Sequence, residues 1–376
     1  MRWGPLRLRP FFTIQDTGYD SNIYRRRTDV KSDFTSTFSP GFDLFTYLGS
    51  RGKILLKEQV DVVLFAKEDS LNHINSRNMA ELDLYMTRFF FRTQGALNYI
   101  KERPNNEIDI RTRSSNGSLS FSSTYRHSSR TSASLTVTRA SIRYKSDDEY
   151  FGSTLSASLD RNEDSLSLGF SQKMLSKTTI TLEGEEIRHD FLNDSLQRDM
   201  RGKYYKLGFK FDPSAFLNGN FRIGYASLLP EHKDLNSYRG PVGDASLSFR
   251  IMEPTRISLS YSKGAVFSIF GRNLYSIQNS YGVTIFQHIT KRFGMELGGT
   301  LFKSRYSLPE YLPLEQGGSI YAIRMDEVKT GFAGVKFRIN EQYNVGLRAM
   351  KWKRASNVYT ENVEQIMIGS TFAFRF

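Results

Sequence analysis

The apolar residues of this chain recur at every second position, from near the N-terminus to the last segment. In residues 244–251, for example, Ala245, Leu247, Phe249 and Ile251 alternate with aspartate, serine and arginine. An interval of two residues places successive side chains on opposite faces of a β-strand, whereas a helix needs an interval of about 3.6. Apolar spacing typical of helices is almost absent. The pattern therefore predicts an all-β protein whose strands have one apolar and one polar face.

Two kinds of connection separate these segments, and they alternate along the C-terminal half of the chain. The short connections are 252–255, 289–292 and 339–342. The long connections are 189–201, 229–240, 266–275 and 307–323. Short turns at one end and long loops at the other are typical of transmembrane antiparallel barrels whose consecutive strands run up and down. This alternation favours an up-and-down transmembrane β-barrel.

Counting inwards from both ends of the chain gives about 18 strands, with a range of roughly 16 to 20, in a single barrel domain over residues 1–376. The segment 150–173 departs from the regular alternation. There the apolar parity changes from Leu155, Ala157 and Leu159 to Leu166 and Leu168. We interpret this segment as one long strand with a bulge, since a turn would change the count by two.

A soluble sandwich or propeller also has alternating strands and is the competing interpretation of this pattern. Soluble sheets of this length carry more continuous core runs and internal repeats, and no repeat of fixed period is visible here. A barrel in lipid also explains why an aromatic-rich chain can contain many lysines and arginines. The aromatic residues face lipid, and the basic residues face a water-filled interior. The barrel is therefore favoured.

Composition narrows the class further. The chain has 376 residues, 39% of them hydrophobic, and no apolar run of the roughly 18 residues that a spanning helix needs. It has no cysteine, which excludes a disulfide scaffold, a zinc–thiolate site and an iron–sulfur protein. Residues 1–10 lack the apolar core of a signal peptide, so we expect any export leader to have been removed.

The net charge of +13 indicates polyanionic partners: nucleic acid, acidic lipid headgroups or an acidic polysaccharide. Aromatic and basic residues are interleaved at 204–206 and 350–354, as in proteins that bind single-stranded nucleic acid. The basic residues are spread over many strands rather than concentrated in one module, and such short sites also fit a membrane interface. We therefore expect no nucleic-acid partner.

The last segment, with Ile366, Ile368, Phe372, Phe374 and Phe376, ends on an aromatic residue after aromatic or aliphatic residues at alternating positions. It resembles the C-terminal strand by which outer-membrane barrels are recognised by the barrel assembly machinery. This resemblance implies that machinery as a partner.

Two stretches resemble the β-barrel porins found beside bacterial exopolysaccharide secretion genes. The first is FTIQDTGYDSNIYR, residues 12–25. The second is YRGPVGDASLSFRIMEPTRISLSYSKGAVFS, residues 238–268, followed by YSIQNSYGVTIFQHITKRF, residues 275–293. The resemblance implies a bacterial outer-membrane barrel, in contact with membrane lipid and lipopolysaccharide, that takes part in polysaccharide export or surface assembly.

If the apolar face meets lipid, the polar parity lines the pore. The pore-lining residues predicted in this way are Arg7, Arg9, Asp61, Glu81, Asp83, Glu183, Glu185, Lys206, Lys210, Arg222, Asp244, Arg250, Arg256, Glu296, Lys336, Arg338, Arg348 and Arg375, with Asp109 as a further acid. Most acids lie in the N-terminal half and most bases in the C-terminal half. We therefore expect opposite charges on opposite walls and a transverse field that filters charged solutes, with the basic wall favouring anions. The alternative is that the charges pair across a plugged interior.

Other sites have weaker support. Asp16, Gly18, Asp20 and Asn22 would place oxygens on one face, but their spacing departs from a calcium-binding loop, so we expect no metal and no cofactor. The five histidines form no HExxH pair and no GxSxG motif occurs, so we expect no enzyme activity.

The pattern begins by Leu6, so we expect no plug domain at the N-terminus of this chain, and the loop 307–323 is the best candidate for an infolded plug. The leading hypothesis is an outer-membrane channel for export or surface assembly of an exopolysaccharide or another polar, anionic solute. The alternative is a non-conducting barrel that docks a periplasmic or extracellular partner protein through its loops or lumen.

Overall fold

The structure is a computed structural model that describes residues 2–150, 152–193, 197–212, 216–233, 235–269, 273–313, 315 and 317–375. Alternating apolar and polar residues form long strands throughout the described residues. The barrel strands are β1 (Leu6–Asp20), β2 (Asp33–Leu48), β3 (Gly52–Phe65), β4 (His73–Tyr85), β5 (Phe89–Glu102), β6 (Thr112–Arg126), β7 (Thr131–Tyr144), β8 (Arg161–Leu175), β9 (Thr178–Phe191), β10 (Met200–Phe211), β11 (Leu217–Pro230), β12 (Tyr238–Met252), β13 (Thr255–Phe267), β14 (Tyr275–His288), β15 (Phe293–Pro313), β16 (Ser319–Arg338), β17 (Tyr343–Ser356) and β18 (Val363–Arg375).

Each strand pairs antiparallel with its neighbours in sequence, and β1 also pairs with β18, where Phe12 lies opposite Phe374. The described residues thus form a closed, up-and-down barrel of 18 strands, as the alternation predicted. Arg2–Trp3 forms a two-residue strand against the start of β1. In the described part of the chain no helix has the length and apolarity to cross a membrane.

The two ends of the barrel differ in their connections. At one end the strands are joined by turns of two to five residues, such as 253–254 and 339–342, and β1 begins and β18 ends there. At the other end most connections are longer, up to the 16 residues of 145–160. The predicted alternation of short and long connections is therefore present around the whole barrel. We refer to these as the short-turn end and the long-loop end.

The segment 150–173 differs from its prediction. It is not one bulged strand, because Leu155–Leu159 forms a short helix, α1, and β8 begins only at Arg161. Leu155 and Leu159 are buried against other loops, so their spacing reflects a helical turn rather than a strand. The strand count is unaffected, since the helix lies in the loop before β8.

Asp16, Gly18 and Asp20 lie in the half of β1 that approaches the long-loop end, and Asn22 follows in the loop 21–32. Asp16 has a φ of 52° and sits at a register shift between Ile14 and Thr17, so a bulge reverses the parity within β1. Asp20 accepts hydrogen bonds from the side chain of Gln365 and from the backbone of Asn22. These oxygens stabilise the end of the strand.

The apolar face of the wall is solvent-accessible on the outside of the barrel. Leu182, Leu207 and Ile223 lie opposite one another on β9, β10 and β11, and more than a third of each residue is exposed. Since lipid is the medium that suits such a surface, a charge there is costly. We expect Leu182→Arg to lower the free energy of unfolding in lipid by about 2–4 kcal/mol, measured by reversible urea unfolding in liposomes. Thr181→Arg, on the opposite face of the same strand, is the control and should change it little.

Candidate functional site

The strand register places all 18 predicted pore-lining residues on the face opposite the exposed apolar residues. On β12, for instance, Asp244 and Arg250 share a parity with each other, and the exposed Ile251 has the other parity. Their cross-strand partners also face inward, as Arg222 does opposite Asp244 and Arg256 does opposite Arg250. The charged face is thus the inner face of the barrel.

Every predicted acid on the strands has a basic partner. Asp61 pairs with Arg77, while Arg92 binds both Glu81 and Asp83, with an Nε to Asp83 Oδ1 distance of 2.7 Å. The remaining pairs are Arg222 with Glu183 at 3.2 Å and with Asp244 at 3.0 Å, Lys206 with Glu185 at 3.9 Å, and Lys336 with Glu296 at 2.9 Å.

These ion pairs contradict the expectation that opposite walls of the barrel carry opposite charges. The acidic wall of the N-terminal half is neutralised, because Arg77 and Arg92 lie on neighbouring inward positions that the sequence analysis did not include. Asp109 is also not on a strand: it lies in the loop 103–111 and binds Arg354. The described residues therefore do not form an acidic wall that faces a basic wall, and the expected transverse field is not present among them.

The bases are less completely paired than the acids. Eight predicted bases form no ion pair with any residue that the structure describes: Arg7, Arg9, Lys210, Arg250, Arg256, Arg338, Arg348 and Arg375. All but Arg348 lie within the last four residues of their strands at the short-turn end. Of the acids near this end, Asp83 and Glu296 are paired, and Asp43 lies opposite Arg9. The short-turn mouth therefore has an excess of positive charge.

The long-loop end is crossed by three loops, which we call loop A (103–111), loop B (145–160) and loop C (268–274). Loop A joins β5 to β6 and loop C joins β13 to β14, eight strands away on an 18-strand wall. Even so, Ser268 Oγ of loop C donates a 2.7 Å hydrogen bond to Glu107 of loop A. Such a contact forms only if the loops extend across the mouth of the barrel.

A small apolar core holds the three loops together. Ile108 of loop A, Leu155 and Leu159 of loop B and Ile269 of loop C pack as one cluster, and each is at most 3% exposed. Arg198, from the loop between β9 and β10, donates hydrogen bonds to main-chain oxygens of loops B and C. The loops therefore form a folded cover over part of the lumen.

Arg354 fastens this cover to the wall. It faces inward from β17, is buried, and donates to Asp109 of loop A at 3.1 and 2.5 Å and to the main-chain oxygen of Asn106 at 3.1 Å. It also lies 2.7 Å from Glu361, in the loop before β18. Arg324 and Asp326 of β16 extend the same network, with an Arg324 Nη2 to Asp326 distance of 2.9 Å. The sequence around Asp109 and around Arg354 gave no indication that these two residues form an ion pair.

Glu107 is the most deeply placed acid of the cover. Its carboxylate accepts hydrogen bonds from Ser268 and from the main-chain nitrogen of Ile269. Burial raises its pKa to about 7, against the lowering effects of Ser268 and of the positive charge on Arg324. The ionisation state of Glu107 is thus coupled to the contact between loops A and C.

The predicted plug is wrong. Within 307–323, Leu312 lies opposite Ile320 and Tyr311 opposite Tyr321, so the described residues extend the β15–β16 hairpin instead of folding inward. Tyr311 is 75% exposed. Alternating residues pair across this hairpin, whereas loops A, B and C supply the buried apolar side chains that form a cover. Sequence alone missed them because their contacts join distant parts of the chain.

A closed antiparallel barrel with an apolar outer face and a charged lumen is the architecture of outer-membrane porins. The whole chain, residues 1–376, matches the family described as "Putative beta-barrel porin 2", and the chain belongs to that family. It is an outer-membrane β-barrel porin.

Solved structures agree with this fold. The outer membrane protein OpdK from Pseudomonas aeruginosa is similar with a TM-score of 0.53 at 10% identity, over 98% of this chain and 99% of OpdK. OccK5 (OpdH) from Pseudomonas aeruginosa is similar with a TM-score of 0.50 at 10% identity, over 98% of each chain. At the level of sequence, no curated relative matches the chain.

Proposed function

We propose that this porin is a channel for anionic polar solutes in the outer membrane of a Gram-negative bacterium. The observation that carries the proposal is the pair Arg250 and Arg256, which lie directly opposite each other on β12 and β13 and form no ion pair with any described residue. Like charges directly opposite each other destabilise a sheet. Their presence on the inner wall is explained by attraction of anions into the lumen.

The rest of the short-turn mouth supports the same solute class. The unpaired bases there come from strands around the barrel, and the predicted inward acids are held by their own partners. An entering anion therefore meets a positive potential with little competing negative charge. An acidic exopolysaccharide is the polymeric form of such a solute, and its passage would require loops A, B and C to move.

Ion selectivity tests the proposal. In a planar bilayer with a salt gradient, we expect the folded protein to conduct with a reversal potential on the anion-selective side. The double variant Arg250→Glu, Arg256→Glu should move that potential clearly toward cation selectivity, because four units of charge change at one position in the lumen. The reversal potential is the measurement.

The matched control is Arg239→Glu, since Arg239 is on the same strand but on the outer face and toward the long-loop end. It should leave selectivity unchanged. Cation selectivity of the unaltered protein, or equal shifts in the double variant and the control, would contradict the proposal.

The second candidate function is a non-conducting barrel that docks a partner protein. The cover formed by loops A, B and C favours it, because a buried core of Ile108, Leu155, Leu159 and Ile269 resists opening. An absence of conductance in a barrel whose folding has been verified would support this candidate. Contact with lipopolysaccharide and with the assembly machinery through β18 remains a prediction, and Phe376 lies outside the described residues.

A further inference from the structure

Three arginines at the long-loop end share one cavity. Arg25 comes from the loop 21–32, and Arg103 and Arg111 are the first and last residues of loop A. The cavity has a volume of about 460 Å³ and is also lined by Glu102, Asn105, Asn106 and Gln278. Each arginine remains partly exposed, so the cavity is accessible to solutes.

None of the three arginines forms an ion pair within the described residues, and the contacts of two of them use neutral acceptors. Arg103 donates to the main-chain oxygens of Asp109 at 2.6 Å and Ile23 at 2.8 Å. Arg25 donates to the side chain of Gln365 at 3.0 Å. These bonds orient the guanidinium groups without pairing either of them with a carboxylate.

Arg111 has the least protein contact of the three. Its guanidinium lies 4.9 Å from the centre of the Phe65 ring, and it donates no hydrogen bond to any residue that the structure describes. Its Nη1 atom is buried without an acceptor. Arg111 also lines the cavity, so an oxyanion there would meet a guanidinium group that has no described hydrogen-bond acceptor of its own.

Burial lowers the pKa of all three groups, and neighbouring positive charges add to this for Arg25 and Arg103. Burial lowers the pKa of Arg103 to about 9, and the positive charges on Arg25 and Arg111 contribute. Burial lowers the pKa of Arg25 to about 10, although Asp109 and Asp20 act in the opposite direction. Burial also lowers the pKa of Arg111. Bringing an anion among three such cations relieves this cost.

The carboxylates near the cavity are already engaged. Asp109 is held by Arg354, and Asp20 accepts two hydrogen bonds from Gln365. Glu102 pairs with Arg77 of β4. Each of these three described acids already has a partner, so the cavity retains an excess of positive charge.

We propose that Arg25, Arg103 and Arg111 form a binding site for a hydroxylated carboxylate, that is, a sugar acid. The planar guanidinium group matches a carboxylate, and the amides of Asn106 and Gln278 can exchange hydrogen bonds with hydroxyl groups. The volume suits one small solute. The site deepens the proposed channel function, since it would hold an anionic solute on its path past loop A.

Trp352 provides the readout. It faces inward from β17, is buried, and its ring centre lies 4.0 Å from the guanidinium carbon of Arg25. The chain has two tryptophans, so Trp3→Phe leaves Trp352 as the single tryptophan, which is excited selectively over the tyrosines. The folded Trp3→Phe protein in detergent is titrated with sodium glucuronate and, separately, with neutral glucose, at constant ionic strength.

We expect a saturable change in Trp352 fluorescence with glucuronate and none with glucose. Arg111→Gln should weaken glucuronate binding by about tenfold or more, because it removes a charge-assisted contact without breaking a described hydrogen bond. The matched control is Arg26→Gln, in the same loop as Arg25, since Arg26 is exposed and its ion-pair partner is Asp29. It should bind glucuronate as the parent does.

No saturable response to glucuronate, an equal response to glucose, or unchanged affinity in the Arg111→Gln variant would each overturn the site. The test is separable from that of the channel. Anion-selective conductance without a change in Trp352 fluorescence would contradict this binding site and leave the proposed channel function intact. Glucuronate binding by a folded barrel that conducts no ions supports the site and removes the channel function.

Discussion

Replacing Arg354 with methionine should release the loop cover while leaving the barrel folded. Arg354 is 1% exposed, and its guanidinium group binds Asp109 of loop A and Glu361 beside β18. Methionine fills similar space but leaves Asp109 without its ion-pair partner, whereas Glu361 keeps Arg324 at 3.6 Å. Breaking a buried ion pair in this way costs about 3–5 kcal/mol. The main-chain hydrogen bonds of β17 with β16 and β18 do not involve the side chain, so the cost falls on the closed position of the loops.

The expected result for Arg354→Met is a larger or more frequently open single-channel conductance in a planar bilayer, together with faster tryptic cleavage after Arg111 of loop A, since Pro104 protects the bond after Arg103. Lys353→Met is the matched control, because Lys353 is the neighbouring residue on the outer face and forms an exposed pair with Glu364. The control should keep the parent conductance and protease resistance. If Arg354→Met folds and behaves like the control in both assays, Arg354 does not hold the cover.

The alternation of residues was sufficient to predict the barrel because lipid imposes it along every strand. Outward residues such as Leu182 must be apolar whatever their neighbours are, so the pattern is local and can be read from sequence. Loop B could not be predicted in this way, because its apolar residues are not on a lipid-facing strand. Leu155 and Leu159 are buried by Ile108 and Ile269, which are distant in sequence, and their apolar character was therefore assigned to a strand.

The same distinction applies to the candidate site. The inward parity of the charged residues follows from each strand alone, whereas their pairing depends on the register between strands. Arg92 lies opposite Asp83 only because β4 and β5 pair in that register, and this pairing removes the expected acidic wall. The contact between Arg354 and Asp109 depends in addition on how loop A crosses the mouth. Neither the register between strands nor the path of loop A can be predicted from the positions of these residues in the sequence.

Charge is thus arranged in levels along the lumen. Unpaired bases surround the short-turn mouth, paired acids and bases occupy the wall between, and a second group of bases, Arg25, Arg103 and Arg111, lies under the long-loop end. An anion crossing the barrel would move between two positive regions through a neutralised one. The cover beside the second region would then determine whether this path is open.

We expect the closure of the cover to depend on pH because of the ionisation of Glu107. Burial raises its pKa from an ordinary 4.5 to about 7 in the closed state, while in an open state water restores the ordinary value. Besides Ser268 and Ile269, the charged groups that act on it are Arg324, Asp326 and Arg198. Between these two pKa values the open state ionises and the closed state does not, so closure weakens as pH rises.

Closure is therefore strongest below about pH 4.5, weakens up to about pH 7 and changes little above it, with a total effect of about 3 kcal/mol or less. We expect open probability and tryptic cleavage of loop A to increase over this interval. Glu107→Gln keeps a neutral hydrogen-bonding side chain and should remain closed at every pH, whereas Asp147→Asn, an exposed change in loop B, should keep the parent profile. A parent protein with a flat profile, or a Glu107→Gln variant that still opens between pH 4.5 and 7, would show that another group controls the loops.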